Sequence, residues 1–269
     1  MNDDPALAAG GVRLRRDGAV LTVTLDRPDT RNAQTPATWR ALAAVGKALA
    51  PDVRVVVLRA EGPTFSAGLH RALTSADGLP GEPSLLRLAS LPPDELDAVI
   101  AGYQAAFTWW RRPDVVTVAA VQGHAVGAGF QLALACDLRV VADDVRFSMR
   151  ETSLGLVPDL GGTGSLVRAV GYSRALEMCL TGREVGAAEA VASGLAQLSV
   201  PRAALDDTAA DLVAALLAAD PDAVRETTAL VYGAAAGRSD DEQLAAERAA
   251  QGRRLRDLAA RVTATGGSP

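Results

Sequence analysis

The first part of the chain alternates apolar residues with polar or small β-branched ones, with a period of two. This alternation covers residues 12–25, on either side of a turn at Arg16, Asp17 and Gly18. Because successive side chains of a strand point to opposite faces, a period of two is typical of a strand with one buried face. We therefore predict a pair of short strands at the start of the fold.

Three uninterrupted apolar runs follow, and they predict strands that are buried on both faces. Continuous β-branched runs are typical of parallel strands covered by helices on either side. Thr35 and Pro36 provide an N-cap and a first-turn proline for a helix that reaches about residue 50. Because strands and helices alternate, we expect an α/β fold. The three runs are residues 53–59, 115–121 and 138–142.

The chain is predicted to be mostly helical after Pro158. The spacing of apolar residues there matches the helical period and indicates a helical layer in the C-terminal third. A predicted helix at residues 205–217 is so apolar that it needs a partner surface, which indicates oligomerisation. The predicted helices span residues 163–170, 173–180, 187–193, 201–219, 221–232 and 240–263.

Two segments give a weaker structural signal. Residues 69–103 are rich in Gly, Pro, Ser and Leu, and their helices are poorly marked. Two interpretations stay open for this stretch, a flexible surface insertion or a mobile loop that shapes a binding pocket. The tail, residues 265–269, is predicted to be disordered.

The composition is that of an ordinary globular protein without an affinity for polyanions. The 269 residues are 49% hydrophobic, which is ample for a large core, and the formal net charge is -5. No run of Lys or Arg stands out, so we expect neither nucleic acid nor an anionic membrane as a partner. The longest apolar stretch, residues 115–136, is interrupted by Gln122, His124 and Gln131, which favours a strand, a glycine loop and a helix over a membrane span.

Cysteine usage and the N-terminal residues favour a cytoplasmic protein. The only two cysteines, Cys136 and Cys179, lie in apolar stretches, which is typical of small buried residues in a reducing compartment. The first residues are acidic and lack the layout of a signal peptide. No cluster of Cys or His has the spacing of metal ligands, so we predict no metal.

Two glycine-bearing segments carry the candidate chemistry. Residues 64–69 follow the first apolar strand, and residues 123–131 follow the second and lead into a helix. A glycine-rich turn at a helix N-terminus leaves N–H donors without partners, and these donors can bind an anion. The second segment is not a dinucleotide loop, because Gly127, Ala128 and Gly129 lack the third glycine of that motif, position 132 being Leu.

Four motifs in order resemble the crotonase (enoyl-CoA hydratase/isomerase) superfamily. They are FSAG at 65–68, QGHAVGAG at 122–129, ACDLR at 135–139 and ETSLGLVPDLGGT at 151–163. Four motifs in this order are far more specific than any one of them, and the resemblance covers residues 12 to 200. It implies a spiral of β-β-α units over residues 1–193, followed by a helical C-terminal region at 194–269 that in relatives drives trimer formation.

The resemblance also implies a substrate and an assembly. We expect an acyl-CoA thioester as substrate, with coenzyme A as part of the substrate and no further cofactor. We expect a homotrimer or a dimer of trimers. Under this resemblance, residues 69–103 would shape the acyl pocket.

The implied oxyanion donors are the main-chain N–H groups of Leu69 and Ala128. Two such donors stabilise the enolate oxygen that develops when a thioester loses an α-proton, and removing one donor typically costs about 3 kcal/mol of barrier. The residues around these donors are the expected substrate contacts. They are Ser66, Ala67, Gly68, His70 and Gly127.

The acid and base residues depart from the hydratase pattern. A family hydratase carries a glutamate where this chain has Gln131, while its second glutamate matches Glu151. Gln131 can orient a water through its amide but cannot take a proton from it. Asp159, eight residues after Glu151, lies where some dienoyl-CoA isomerases of the family place a working carboxylate.

Structural alternatives remain open for both acids at this stage. Glu151 could pair with Arg146 or Arg150. Asp159 could cap the helix that begins near Thr163 or fix the turn after Pro158. The catalytic interpretation makes the protein an isomerase that shifts a double bond, with hydration ranked lower because Gln131 replaces the second glutamate. The alternative is a crotonase homologue that binds acyl-CoA without turning it over.

Overall fold

The computed structural model describes residues 4–265, so residues 266–269 of the predicted disordered tail lie outside the described residues. The strands, numbered along the chain, are β1 (Val12–Asp17), β2 (Val20–Leu25), β3 (Val55–Ala60), β4 (Val116–Val121), β5 (His124–Val126), β6 (Leu138–Ala142), β7 (Arg146–Ser148), β8 (Val185–Gly186) and β9 (Leu198–Val200).

The helices are α1 (Pro5–Gly10), α2 (Pro36–Lys47), α3 (Leu85–Ala89), α4 (Pro93–Thr108), α5 (Ala128–Ala135), α6 (Gly162–Val170), α7 (Tyr172–Thr181), α8 (Ala187–Ala192), α9 (Leu205–Ala218), α10 (Pro221–Ala235) and α11 (Asp240–Thr265).

The larger sheet has the strand order β1-β2-β3-β4-β6-β9. β1 and β2 form the predicted antiparallel pair, and the remaining neighbours run parallel because helices connect them. Alternate residues of the central strands face two different apolar layers. On one face Val55, Val118 and Val140 pack with residues of α9, while Val56 and Val121 belong to the main core. The sheet is therefore covered on both sides, as the uninterrupted apolar runs predict.

A second, three-stranded sheet has the order β5-β7-β8 and lies beside the larger one. Its strands have two or three residues each, and the hydrophobic pattern did not predict them. Strands this short leave almost no periodicity to detect. The second sheet matters for function because β5 separates β4 from α5, the helix that carries the candidate donor Ala128.

The capping signals place the helices correctly at several ends. Thr35 caps α2 through a reciprocal capping box with Thr38, and Pro36 occupies the first turn.

Helix α5 is buried at every position, which explains the length of the apolar stretch that contains it. Among residues 4–265, no helix is long and apolar enough to cross a membrane.

The helical C-terminal region ends in two antiparallel helices, α10 and the 26-residue α11, which ion pairs connect. Arg254 of α11 reaches Asp220 at the N-cap of α10 at 3.0 Å. Leu244, Leu255 and Leu258 of α11 are more than half exposed in the single chain.

Candidate active site

The first glycine-bearing bend, residues 64–69, follows β3 and is fixed against β5. Ser66 forms an isolated parallel bridge with Ala125. The Ser66 N–H donates to the carbonyl of His124, and the Val126 N–H donates to the carbonyl of Ser66, each at 3.0 Å. Gly68 has a φ of 82°, a left-handed conformation that favours glycine. The bend therefore has a defined position next to the start of α5.

Two residues ahead of α2 fix the same bend from its other side, and the sequence analysis missed them. The Gln34 N–H donates to the Gly68 carbonyl at 2.7 Å, and the His70 N–H donates to the Gln34 carbonyl at 2.8 Å. The Ser66 hydroxyl donates to the Asn32 carbonyl at 2.8 Å. Polar residues before a helix are common in turns, so the sequence offered no signal that distinguishes Asn32 and Gln34.

The second bend places the N-terminus of α5 against the first. Gly127, the N-cap of α5, has a φ of 50°, and its N–H donates to the Ser148 carbonyl at 2.9 Å. Gly129, one residue inside the helix, has no room for a side chain. A Cβ at this position would lie 2.7 Å from the Cβ of Ser66. The helix can approach the first bend this closely because position 129 is glycine.

The main-chain N–H groups of Leu69 and Ala128 have no hydrogen-bond acceptor among the described residues. For Ala128 this follows from its place in the first turn of α5, where an N–H has no partner within the helix. The two groups belong to adjacent bends, since a Cβ built on Gly68 would clash with the Val126 carbonyl and lie 3.6 Å from the Ala128 nitrogen. Two free donors on adjacent bends are what an oxyanion site requires.

Glu151 lies beside the second bend, at the start of a 3-10 turn that spans Glu151–Leu154. A Cβ on Gly127 would be 3.3 Å from the Oε1 atom of Glu151. The Glu151 side chain is buried, and its Oε2 atom has no hydrogen-bond partner. Burial raises the pKa of Glu151; the hydrogen bond from Gln131 opposes the rise, and the charge of Asp159 adds to it.

Gln131 is held by the protein at both ends of its amide. Its Oε1 atom accepts hydrogen bonds from the N–H groups of Leu160 at 3.0 Å and Gly162 at 3.2 Å. These two donors fix the orientation of the amide, so that Nε2 donates to Glu151 Oε1 at 2.6 Å. The side chain that replaces the hydratase glutamate thus supports the remaining one.

Asp159 lies near Glu151, on the segment that leads into α6. Burial raises the pKa of its carboxyl group. Its main-chain carbonyl accepts a hydrogen bond from Gln104 Nε2 at 2.7 Å, which ties the segment to α4. Among the described residues, no side chain donates a hydrogen bond to the Asp159 carboxylate. Asp159 is therefore a half-buried acid without a structural side-chain partner.

Neither the arginine partner proposed for Glu151 nor the capping role proposed for Asp159 occurs within residues 4–265. Arg146 donates to the Val145 carbonyl and Arg150 to the Gly182 carbonyl, and neither forms an ion pair with Glu151. The N-cap of α6 is Gly161, and no side chain accepts a capping hydrogen bond from the helix N–H groups, so Asp159 does not cap this helix. The predicted ion pair of Glu151 and the predicted capping role of Asp159 are therefore both wrong.

The remaining predicted contacts lie around the first bend. His70 is half-buried, and its Nδ1 atom accepts from the Ala72 N–H at 3.3 Å, which caps the short turn Arg71–Thr74. Ala67 is half-buried, and its N–H donates to the Arg31 carbonyl. His70 is therefore held at the rim by its own turn. Within residues 4–265, no group of His, Cys, Asp or Glu side chains is placed to hold a metal ion.

The comparisons with known proteins point to one family. A family model described as enoyl-CoA hydratase/isomerase matches residues 92–260. The crystal structure of a candidate enoyl-CoA hydratase from Thermobifida fusca YX in complex with CoA superposes with a TM-score of 0.88 at 48% identity, covering 94% of this chain and 96% of that one. The same protein in complex with acetoacetyl-CoA gives a TM-score of 0.89 at 47% identity, with coverage of 95% and 99%.

The curated relatives carry both hydratase and isomerase names. The probable enoyl-CoA hydratase echA8 of Mycobacterium tuberculosis is 34% identical over 71% of this chain and 68% of its own length. The human mitochondrial Delta(3,5)-Delta(2,4)-dienoyl-CoA isomerase is 32% identical over 77% of this chain and 64% of its own length. Across such relatives, the matched part spans from 58% to 77% of the relative's length.

Proposed function

Since this chain belongs to the enoyl-CoA hydratase/isomerase family, we propose that it shifts a double bond along the acyl chain of a CoA thioester. The observation that carries this proposal is the set of contacts around Gln131. At the position of the hydratase glutamate the chain has an amide that the protein holds at both ends. An amide cannot take a proton from water, so the site has one buried carboxylate beside the oxyanion donors rather than two.

The thioester carbonyl binds at the two free donors in this proposal. Its oxygen accepts hydrogen bonds from the N–H groups of Leu69 and Ala128, which no described residue uses. As the α-proton leaves, negative charge builds on this oxygen, and the preformed donors stabilise it without having to reorient. Ser66, Gly68 and Gly127 contribute by shaping the bends, because larger residues at the glycines would displace the donors.

Glu151 acts as the base in the proposed reaction. With a 3-enoyl-CoA, its Oε2 atom takes the proton from carbon 2, and the electrons of that C–H bond form the dienolate. Protonation at carbon 4 then leaves the double bond between carbons 2 and 3. A raised pKa suits this task, because the carboxylate is then a stronger base toward the proton on carbon 2.

Asp159 is the proposed acid for the far end of the shifted double bond. The charge of Asp159 adds to the rise in the pKa of Glu151, which burial causes first. Burial raises its own pKa as well, so it can hold a proton near neutral pH more readily than an exposed aspartate. Two carboxyl groups of this kind could serve a conjugated dienoyl-CoA, where the carbons that lose and gain the proton lie further apart.

The names of relatives support the choice of substrate and leave hydration as the competing activity. One relative is named a dienoyl-CoA isomerase, others are named enoyl-CoA hydratases, and the Thermobifida protein was crystallised with CoA and with acetoacetyl-CoA. We also propose a homotrimer or a dimer of trimers, for which the exposed leucines of α11 provide a surface.

The test is an ultraviolet assay with three thioesters, a 3-enoyl-CoA, a conjugated 3,5-dienoyl-CoA and crotonyl-CoA. We expect conversion of the first two, with slow or no hydration of crotonyl-CoA. Glu151→Gln should abolish the conversion, while Glu95→Gln, which changes an exposed glutamate of α4, should not. Faster hydration than isomerisation would contradict the proposal. Tight binding of all three without conversion would favour the non-catalytic acyl-CoA binder.

A further inference from the structure

A cavity of about 290 Å³ has Gln131 in its wall, together with Leu160 and Gly161. Helices α4, α5, α6 and α10 all contribute to its wall. Phe107 and Leu160 give it apolar surface, and Arg111, Ser165, Arg168 and Tyr232 give it a polar end. The reaction proposed above uses none of these polar residues.

The two arginines of the cavity meet at one serine. Arg111 Nη1 and Arg168 Nη2 each donate to the Ser165 hydroxyl oxygen at 3.3 Å. Two guanidinium groups that share one acceptor lie close together, and like charges at short range repel. The pKa of Arg168 is lowered, first by burial and then by the charge of Arg111. The polar end of the cavity is therefore a site of concentrated positive charge.

The protein compensates this charge only in part. Arg111 lies 3.8 Å from Asp137 Oδ1, while the other oxygen of Asp137 accepts hydrogen bonds from the N–H and hydroxyl of Thr117. For Arg168, no ion pair occurs within the part of the chain that the structure describes. Guanidinium groups bind carboxylates well because their parallel N–H donors match the two oxygens.

The cavity and the proposed oxyanion site share helix α5. Helix α5 begins at Ala128, whose N–H is a proposed oxyanion donor. The same face of the helix carries Gln131 and Ala135, and both of these residues line the cavity. At the rise of an α-helix, Ala135 is about 10 Å along the axis from Ala128. An acyl chain of medium length that is bound by its carbonyl at Ala128 and runs along this face of α5 would bring its far end to the arginines.

We propose that this cavity selects acyl chains that carry a carboxylate at the end distal to the thioester. Arg111 and Arg168 bind that carboxylate, and Phe107 and Leu160 contact the methylene groups before it. This inference rests on the proposed function, because it assumes that the thioester carbonyl lies at Leu69 and Ala128. The substrate class is then the CoA monothioesters of dicarboxylic acids.

The test compares two thioesters that differ only at the far end. Octanoyl-CoA ends in a methyl group, and suberoyl-CoA, the monothioester of the eight-carbon diacid, ends in a carboxylate. Isothermal titration calorimetry should give at least about tenfold tighter binding of suberoyl-CoA, because a hydrogen bond to a charged group contributes more than a neutral one. The difference should shrink as salt is added, since the cavity is open to solvent.

Arg168→Met is the informative variant, because Met keeps an unbranched apolar side chain and removes the charge. The ratio of the two dissociation constants should fall to near one, with the affinity for octanoyl-CoA unchanged. Arg225→Met, which alters an exposed arginine of α10 paired with Asp222, is the matched control and should keep the ratio. Arg111→Lys provides a second variant that retains a charge near Asp137 but loses the paired donors.

Three results would overturn the inference. The first is equal affinity of the parent protein for the two thioesters. The second is an equal loss of affinity of Arg168→Met for both thioesters and for CoA alone, which would assign the arginines to a CoA phosphate. The third is a preserved ratio in Arg168→Met. The isomerase assay is independent of these binding measurements. An enzyme that shifts the double bond but does not prefer suberoyl-CoA would contradict this inference alone. A protein that prefers suberoyl-CoA but converts no substrate would contradict only the proposed isomerisation.

Discussion

At the scale of single residues, the Glu151 carboxylate is the least satisfied polar group of the site. Its Oε1 atom has Gln131 as a partner, while Oε2 is buried and has none. A buried acceptor without a partner typically costs about 1–3 kcal/mol of stability. The fold tolerates this cost beside Gly127, next to one of the proposed oxyanion donors, and that combination is typical of a functional group.

Removing the Glu151 charge should stabilise the protein while it abolishes activity. The folded-state pKa of Glu151 is raised above its ordinary value of 4.5, so the folded parent binds this proton more tightly than the unfolded chain does. The parent therefore loses stability as pH rises from about 4.5 through the raised pKa. Thermal unfolding of Glu151→Gln should show a higher Tm than the parent at pH 7, by about 2–4 °C for each kcal/mol of stability gained.

The stability difference should also shrink as the pH is lowered toward the ordinary pKa, because the parent carboxyl group then becomes neutral. Glu95→Gln, at an exposed position, should show neither the higher Tm nor its pH dependence. If Glu151→Gln were less stable than the parent at neutral pH, the account of an unsatisfied buried carboxylate would be wrong.

Activity should fall as the pH is lowered and Glu151 becomes protonated. Glu151 must be deprotonated to act as a base, and its pKa is raised by burial, so kcat/KM should fall on acidification at a pH above the ordinary carboxyl range. The pH profile of kcat/KM for a 3-enoyl-CoA measures this limb directly. A profile that stays flat down to pH 4.5 would show that another group removes the proton.

Gln131→Glu should move the enzyme toward hydration. The N–H groups of Leu160 and Gly162, which donate to Gln131 Oε1, would donate to a carboxylate oxygen in its place. The second carboxylate of the hydratase pattern would then be present, and the rate of crotonyl-CoA hydration should rise about tenfold or more relative to isomerisation. Gln243→Glu, on α11, is the control, and an unchanged ratio of the two rates in Gln131→Glu would contradict this explanation.

At the scale of elements, the site depends on how closely α5 approaches the bend after β3. The sequence predicted both elements because their apolar runs are long and their glycines are conspicuous. It could not predict β5, β7 or β8, because strands of two or three residues leave no periodic signal. The roles of Asn32 and Gln34 depend on contacts with a bend more than thirty residues away, and local pattern cannot show such contacts.

The same limit applies to Gln131. Its residue type already showed that a hydratase glutamate was missing, which needed no structure. The role of Gln131 in holding Glu151 depends on the segment before α6. This segment places two N–H donors on the Gln131 side-chain carbonyl, and local sequence does not show that contact. The capping role that was an alternative for Asp159 is wrong for a related reason, since Gly161 rather than a polar residue is the N-cap of α6.

Gly68→Ala should disrupt the first bend and the oxyanion donor that follows it. Gly68 has a φ of 82°, and a Cβ there would clash with the Val126 carbonyl, so the Leu69 N–H should shift. Loss of one oxyanion donor typically lowers kcat about 10²–10³-fold. Gly18→Ala is the matched control, with a φ of 52° and nothing within 4 Å of its Cβ, and it should lose about 1 kcal/mol of stability without loss of kcat. Equal kcat in the two variants would argue against the assigned donor.

At the scale of the whole molecule, the predicted resemblance to the crotonase superfamily is confirmed. The family model matches residues 92–260, and the Thermobifida structures superpose over more than nine-tenths of the chain. The predicted α/β class with a helical C-terminal region is confirmed with it. The fold was predictable because the four glycine- and acid-bearing motifs are specific, whereas the cavity between α4, α6 and α10 depends on packing that no local motif encodes.

The assembly remains a prediction, and the exposed leucines of α11 provide its test. Leu255 and Leu258 are each more than half exposed in the single chain. Analytical ultracentrifugation should show a trimer or a hexamer for the parent protein. The double variant Leu255→Glu and Leu258→Glu should shift the mass toward the monomer, because burying two carboxylates in an apolar interface is costly. A monomeric parent protein would contradict the proposed assembly.

The most direct test of the central claim is a crystal structure of the protein with octanoyl-CoA bound, a thioester without a double bond to shift. The account predicts that the thioester oxygen lies about 2.7–3.1 Å from the nitrogens of both Leu69 and Ala128. It also predicts that the α-carbon lies about 3–3.5 Å from Glu151 Oε2. A thioester oxygen bound away from either amide, or an α-carbon out of reach of Glu151, would contradict it.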